Sequence, residues 1–241
     1  SVMRTSLLPG LLQNLMYNLQ RQHENIKLFE SAKIFTHNDK INREKDVIAG
    51  ISYGSQTKEQ WGLESNPIDF YDVKGDLEML FSDLGIHDQV TYSKDSHPML
   101  CPGKNAKIDL DGITVGHVGE LSPELIMELD LVQTPILFEI DKNHLKLPNQ
   151  MHYQDHPYFP SSRRDISLLI PENQETLAIL KTIQQLEIPI LKNVIIFDVY
   201  KGKNIESGLI SVALGLIFQA KSRTLTDEEI DRYMSNIKRQ I

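Results

Sequence analysis

Apolar residues recur at three- and four-residue steps through Leu8, Leu11, Leu12, Leu15, Met16 and Leu19, the spacing that lines one face of a helix. With Ser6 as a capping residue, the pattern predicts a helix over residues 6–23. The pattern then changes to strands over 26–35 and 47–53, followed by a loop around Trp61. Helical spacing returns through Val73, Leu77, Leu80, Phe81 and Leu84 and stops at Gly85, a normal helix end. Asp111-Gly112 is the strongest short hairpin signal in the chain, and it predicts paired strands over 106–110 and 113–118. Ser122-Pro123-Glu124 opens a short helix, and 135–140 reads as a further strand.

From Leu147 to Pro157 the chain carries Pro, Asn, Gln, His and Asp without periodicity, which marks a linker at 148–157 between domains at 1–147 and 158–241. Beyond it the pattern gives strand 164–170, helix 175–186, strand 193–200, strand 209–218 and helix 226–237. Thr226-Asp227-Glu228-Glu229 forms a capping box at the start of the last helix. This β-α-β-β-α order is a ferredoxin-like split βαβ unit lacking its final strand.

Alternation along two of these strands divides their side chains between faces. Ile210, Val212, Leu214, Leu216 and Phe218 are expected in the core, opposite Ser211, Ala213, Gly215 and Ile217. On the preceding strand Ile195, Phe197 and Val199 are expected in the core, leaving Val194, Ile196, Asp198 and Tyr200 on the open face. Ile166, Leu168 and Ile170 join the core, and Asp165 and Ser167 the open face. The open face thus sets one aromatic plate, Tyr200, beside small and hydrogen-bonding neighbours.

The 241 residues carry a net charge of −8, which argues against a broad phosphate-gripping surface. The charge is uneven: residues 158–241 hold 11 Lys and Arg against 10 Asp and Glu, and residues 1–157 hold 14 against 23. A single cysteine, Cys101, excludes an intrachain disulfide framework and a multi-cysteine zinc site. No apolar run approaches the ~20 residues of a membrane helix, so no membrane partner is expected and the cytoplasm is the default compartment. The first residues run straight into a patterned helix without an initiator methionine, as expected of a piece of a longer protein. His152, Asp155 and His156 have ligand character but fall in the linker, and Cys101 with His97 lacks a third group for nucleophilic chemistry. Asp72, Asp76 and Glu78 read as a solvated helix face.

Several stretches, in order and over nearly the whole chain, carry a resemblance to a known family. They are Met3-Arg4-Thr5-Ser6-Leu7-Leu8-Pro9-Gly10-Leu11-Leu12, Leu28-Phe29-Glu30 through Ile34-Phe35, and Asp69-Phe70-Tyr71-Asp72-Val73-Lys74-Gly75-Asp76-Leu77-Glu78. They continue in Gly116-His117-Val118-Gly119-Glu120-Leu121-Ser122-Pro123-Glu124, Tyr158-Phe159-Pro160-Ser161-Ser162-Arg163-Arg164-Asp165, Phe197-Asp198-Val199-Tyr200-Lys201-Gly202 and Arg223-Thr224-Leu225-Thr226-Asp227-Glu228-Glu229. Together they resemble the C-terminal third of the bacterial phenylalanyl-tRNA synthetase beta subunits.

The resemblance implies an α+β chain: a class II synthetase-like antiparallel sheet with helices that has lost catalysis, then a ferredoxin-like, RRM-like anticodon-binding unit. In catalytic class II enzymes the strand resembling 28–35 continues into an arginine that offsets charge at the ATP phosphate; here Thr36-His37-Asn38 follow. No cofactor is therefore expected in this chain. ATP and magnesium are expected for the whole enzyme, with adenylation in a separate alpha subunit, for which the leucine-rich first helix is a candidate contact. The resemblance also implies that tRNA-Phe, not DNA, meets the open sheet face. Tyr200 would stack on the first anticodon base, Asp198 would accept hydrogen bonds from a base edge, and Ser211 would add a polar contact. Arg163, Lys201, Lys203 and Arg223 are candidate contacts to the tRNA backbone. The competing reading, a metabolite-binding regulatory module, needs a glycine-rich loop where Pro171-Glu172-Asn173-Gln174 stands.

Overall fold

The leucine stripe near the N-terminus forms α1 (Leu8–Leu19), which buries Leu8, Leu11, Leu12 and Leu15. The computed structural model describes residues 3–38, 41–145, 158–202 and 205–241. The helix is shorter than the apolar period suggests. Leu7 takes the cap position, while Ser6 Oγ still accepts from the Leu8 N–H at 3.1 Å. Glu139 Oε2 receives both the Leu7 N–H at 2.7 Å and the Ser6 hydroxyl at 3.0 Å. A carboxylate from a distant strand thus satisfies donors that a helix start leaves open. At the other end Gln22 turns to φ 64°, and the chain leaves the helix.

It enters β1 (Ile26–Asn38), which pairs over its full length with β2 (Ile41–Tyr53). Next come α2 (Phe70–Asp83), β3 (Val90–Lys94), β4 (Leu100–Leu110), β5 (Ile113–Leu121), α3 (Pro123–Glu128) and β6 (Ile136–Asp141). The six strands make one sheet in the order β1-β2-β6-β5-β4-β3, with every neighbouring pair antiparallel. Strand alternation sends successive side chains to opposite faces, and each face is covered by a helix. Val47, Ala49, Ile51 and Leu137 pack with the leucines of α1. Ile108, Val118, Ile136 and Ile140 pack with Val73, Leu77 and Phe81 of α2.

The β4–β5 hairpin turns through Asp111 at φ 49° and Gly112 at φ 78°, the two positive φ values that a two-residue hairpin turn requires. Ser122 caps α3 by accepting from the Leu125 N–H. The leucines of α1 are buried in the core of their own sheet, so its apolar stripe is not a surface for a partner subunit. Of the carboxylates on α2, the three expected on a solvated face are all engaged: Asp72 closes a capping box with Asp69, Asp76 meets Lys27, and Glu78 pairs with Lys74.

The chain divides into two compact units, residues 1–152 and 153–241. The predicted linker, with His152, Asp155 and His156, lies outside the described residues. The second unit runs β7 (Ser162–Pro171), α4 (Thr176–Gln185), β8 (Leu191–Tyr200), β9 (Leu209–Phe218) and α5 (Asp227–Gln240). Its sheet has the order β7-β9-β8, antiparallel throughout. Ile166, Ile170, Val212, Leu214, Leu216 and Phe218 form its core with Ile179 and Ile183 of α4 and Ile230, Met234 and Ile237 of α5. Both helices cover this face of the sheet and leave the other open.

Candidate nucleic-acid interface

Cross-strand pairing sets out the open face as a grid, because directly paired residues point to the same side. Arg163 lies opposite Ile217 and Asn193, and Asp165 opposite Gly215 and Ile195. Ser167 lies opposite Ala213 and Asp198, and Leu169 opposite Ser211 and Tyr200. Asp198, Tyr200 and Ser211 therefore share one surface, with Tyr200 directly across from Ser211. The Ser211 and Ser167 hydroxyls are 2.8 Å apart, which ties β9 to β7 beside the tyrosine.

The route by which β8 reaches this arrangement differs from simple alternation. Its pairing with β9 shifts between Ile196 and Asp198, so Phe197 is an extra residue in a β-bulge. Before the bulge Val194 and Ile196 lie opposite the buried Leu216 and Leu214, on the core side. Ile195, opposite Gly215, lies on the open side. After it Val199 lies opposite the buried Val212, and Asp198 and Tyr200 face outward. The expected core placement of Ile195 and Phe197, and the expected open placement of Val194 and Ile196, are thus reversed. Without the bulge Asp198 and Tyr200 would point to the opposite face of the sheet, beside Val212.

Tyr200 is 47% exposed, and its ring lies over the backbone of the turn that follows. A Cβ on Gly202 would sit 2.1 Å from Tyr200 Oη and 2.3 Å from Cζ, so only glycine lets the phenol take this position. Phe197, 48% exposed, lies under the Arg163 guanidinium, whose Cζ is 4.7 Å from the ring centroid.

The candidate backbone-binding cations have partners within the chain. Arg163 Nε donates to Asp165 Oδ1 at 2.7 Å, and Lys201 Nζ reaches Glu172 Oε1 at 2.5 Å. Arg223 forms a two-pronged pair with Glu229 at 2.6 and 2.5 Å. Glu229 also accepts from the Thr226 N–H as part of the capping box of α5. The Arg223 hydrogen bonds, then the Thr226 backbone, hold the Glu229 carboxyl down at about 2, and the same pairing raises Arg223. Arg223 is therefore a brace for the start of α5. Arg164 does not pair with the adjacent Asp165; it points to Asp227 at the same helix start. Lys203 lies outside the described residues.

Sequence reasoning missed Phe197 as a surface group because every residue from Val194 to Phe197 is apolar, so alternation alone does not reveal a phase slip. The following Asp-Val-Tyr, polar on both outer positions, is the signal that could have located it. In the first unit, Cys101 and His97 form no reactive pair: His97 Nδ1 accepts from the Met99 N–H, and its ring lies 5.0 Å from that of His117, tilted by 41°. Burial, and secondarily His117, lowers the His97 pKa. Among the described residues no group of three or more His, Cys, Asp or Glu side chains could hold a metal ion, and no helix is long and apolar enough to cross a membrane.

Residues 1–142 match the family model of the phenylalanyl tRNA synthetase beta chain CLM domain, and residues 157–241 that of the ferredoxin-fold anticodon binding domain. The phenylalanine–tRNA ligase beta subunit of Nitrosospira multiformis is 35% identical over 98% of this chain and 29% of its own length. That of Carboxydothermus hydrogenoformans is 37% identical over 98% of this chain and 30% of its own length. The chain spans about three-tenths of the length of these curated relatives. A pyrrolysyl tRNA synthetase structure from Desulfitobacterium hafniense superposes with a TM-score of 0.44 at 13% identity, over 59% of this chain and 48% of that one.

Proposed function

This chain belongs to the phenylalanyl-tRNA synthetase beta-chain family, and from that premise we propose that its second unit binds the anticodon of tRNA-Phe on the open sheet face. The observation that carries the reading is the bulge at Phe197, which turns Asp198 and Tyr200 outward beside Ser211. Tyr200 stacks an anticodon base, a contact worth roughly 1–3 kcal/mol that needs no net positive charge. That suits a unit whose charges nearly cancel. The Asp198 carboxylate accepts hydrogen bonds from amino or imino groups on a base edge, and the Ser211 hydroxyl contacts the same or the adjoining base. Lys201 can exchange its exposed Glu172 partner for a phosphate, because a surface ion pair is worth little. Arg223 stays with Glu229 and serves the fold.

The first unit acts as a scaffold that packs against the alpha subunit, in which adenylation takes place. β1 ends in Thr36-His37-Asn38, without the arginine that would grip a triphosphate, so the residues present do not fit ATP. ATP and magnesium are needed by the assembled enzyme, and this chain contributes tRNA placement to the attachment of phenylalanine.

The test is an NMR titration of the chain with the tRNA-Phe anticodon stem-loop. Shifts confined to Ser167, Asp198, Tyr200, Ser211 and their neighbours are expected, with an unrelated stem-loop binding more weakly. Shifts on α4 and α5 instead would overturn the assignment. In parallel, ATP should leave the melting temperature unchanged, and the alpha subunit should copurify with the chain.

A further inference from the structure

Arg163 has a position that a phosphate-binding arginine does not need. It starts on β7, crosses β9, and ends over a ring on β8. It can do so because Gly215 lies beneath it: a Cβ there would stand 2.9 Å from Arg163 Nε, 3.0 Å from Nη2 and 3.1 Å from Cζ. The far support is Phe197, turned to this face by the bulge, with the guanidinium carbon 4.7 Å from its ring centroid. Asp165, two residues along the same strand, accepts from Nε at 2.7 Å and fixes the remaining rotation. The side chain is still 47% exposed.

The geometry points to a second nucleobase site: we propose that the Arg163 guanidinium, backed by Phe197 and pinned by Asp165, is a plate on which a base other than the Tyr200 base stacks. The proposal rests on the reading of the open face as an RNA surface. Two physical points separate a plate from a phosphate contact. First, Asp165 takes the Nε–H on the edge of the guanidinium at 2.7 Å, so part of the edge that would meet a phosphate is used while its face is not. Second, the guanidinium is supported by Gly215 and Phe197 and held by Asp165 while its side chain stays 47% exposed, so a base loses its own freedom on binding but orders little of the protein. Bases in single-stranded RNA stack on arginine planes as well as on aromatic rings. The guanidinium lies over Gly215 and Tyr200 lies opposite Ser211, four residues apart on β9 and so about 13 Å along the strand, and the two plates therefore serve different bases of one loop.

The test uses the intact chain and a labelled tRNA-Phe anticodon stem-loop, together with three versions that each carry one abasic anticodon nucleotide. Arg163→Lys keeps the charge and removes the plane; Phe197→Leu keeps the apolar volume and removes the ring. Each should weaken binding about five- to tenfold, at the low end of a base-stacking contribution, with the double variant little weaker than either single one. The abasic position to which Arg163→Lys becomes indifferent should differ from the one to which Tyr200→Ala becomes indifferent. In the free protein the Arg163 Hε resonance should be shifted upfield by the Phe197 ring and return towards normal in Phe197→Leu. Wild-type affinity in Arg163→Lys, with affinity lost in Tyr200→Ala, would overturn the plate and leave the anticodon reading standing. A wild-type chain that prefers no stem-loop would overturn both.

Discussion

Replacing Gly202 by alanine is a way to move the Tyr200 ring without removing it. The new Cβ would start 2.1 Å from the tyrosine Oη and 2.3 Å from Cζ, both at the far end of a side chain. The backbone has no need to yield, since Gly202 is not at a positive φ, and the half-exposed ring swings away. Folding stability should therefore change by no more than about 0.5 kcal/mol, as for other surface substitutions. That limits the shift in the melting temperature of this small unit to about 4 °C. RNA affinity should respond differently. Loss of a stacked base costs roughly 1–3 kcal/mol, about 5- to 150-fold in Kd, and a displaced ring loses up to that amount. Fluorescence anisotropy with the anticodon stem-loop, run on wild type, Gly202→Ala, Tyr200→Ala and the double variant, forms a cycle that isolates the coupling. The glycine change should weaken binding in the wild-type background and be silent once Tyr200 is gone. An equal loss in both backgrounds would refute the claim that Gly202 acts by seating the ring.

Two other outcomes test the fold around the site. Phe218 is fully buried in the core of the second unit, so Phe218→Ala should cost about 3–5 kcal/mol, measured as a lower urea midpoint for that unit. Glu229 is held at about 2 when folded, from an ordinary value of 4.5. Its carboxylate adds stability above pH ~4.5, and this is lost as pH falls towards ~2. Glu229→Gln should flatten the acid limb of the stability profile in that window, and an unchanged limb would count against the Arg223 brace.

Where one physical signal dominated, the sequence made the structure legible. The leucine stripe of α1 needed no context, since four leucines at helical spacing have one way to be buried. Asp111-Gly112 announced its hairpin because few residue pairs accept two positive φ values. The run from Leu209 to Phe218 alternates cleanly, and its buried face is the one expected. Legibility failed where signals conflicted or were weak. The register shift in β4 between Leu100 and Asn105 lets that strand run through Pro102-Gly103, residues that usually mark a break. The sheet-edge strand β3, five residues long and nowhere fully buried, shows no apolar alternation strong enough to read. β1 and β2 extend as a hairpin into polar residues, where a cross-strand ion pair such as Lys33–Glu44 at 2.7 Å, rather than an apolar stripe, joins the strands. At the candidate site, motif and alternation put Asp198, Tyr200 and Ser211 on one face, as the pairing does, but the bulge that aims the first two depends on pairing with β9. Phe197 and its arginine cover became visible only with that register.

The central claim is that the open sheet face of the second unit reads an anticodon through Tyr200. The most direct measurement compares Tyr200→Ala and Tyr200→Phe with wild type in binding the tRNA-Phe anticodon stem-loop at moderate salt. Stacking requires a ring and not a hydroxyl. Alanine should therefore weaken binding about 5- to 150-fold, with phenylalanine close to wild type. Equal binding by all three folded proteins would contradict it.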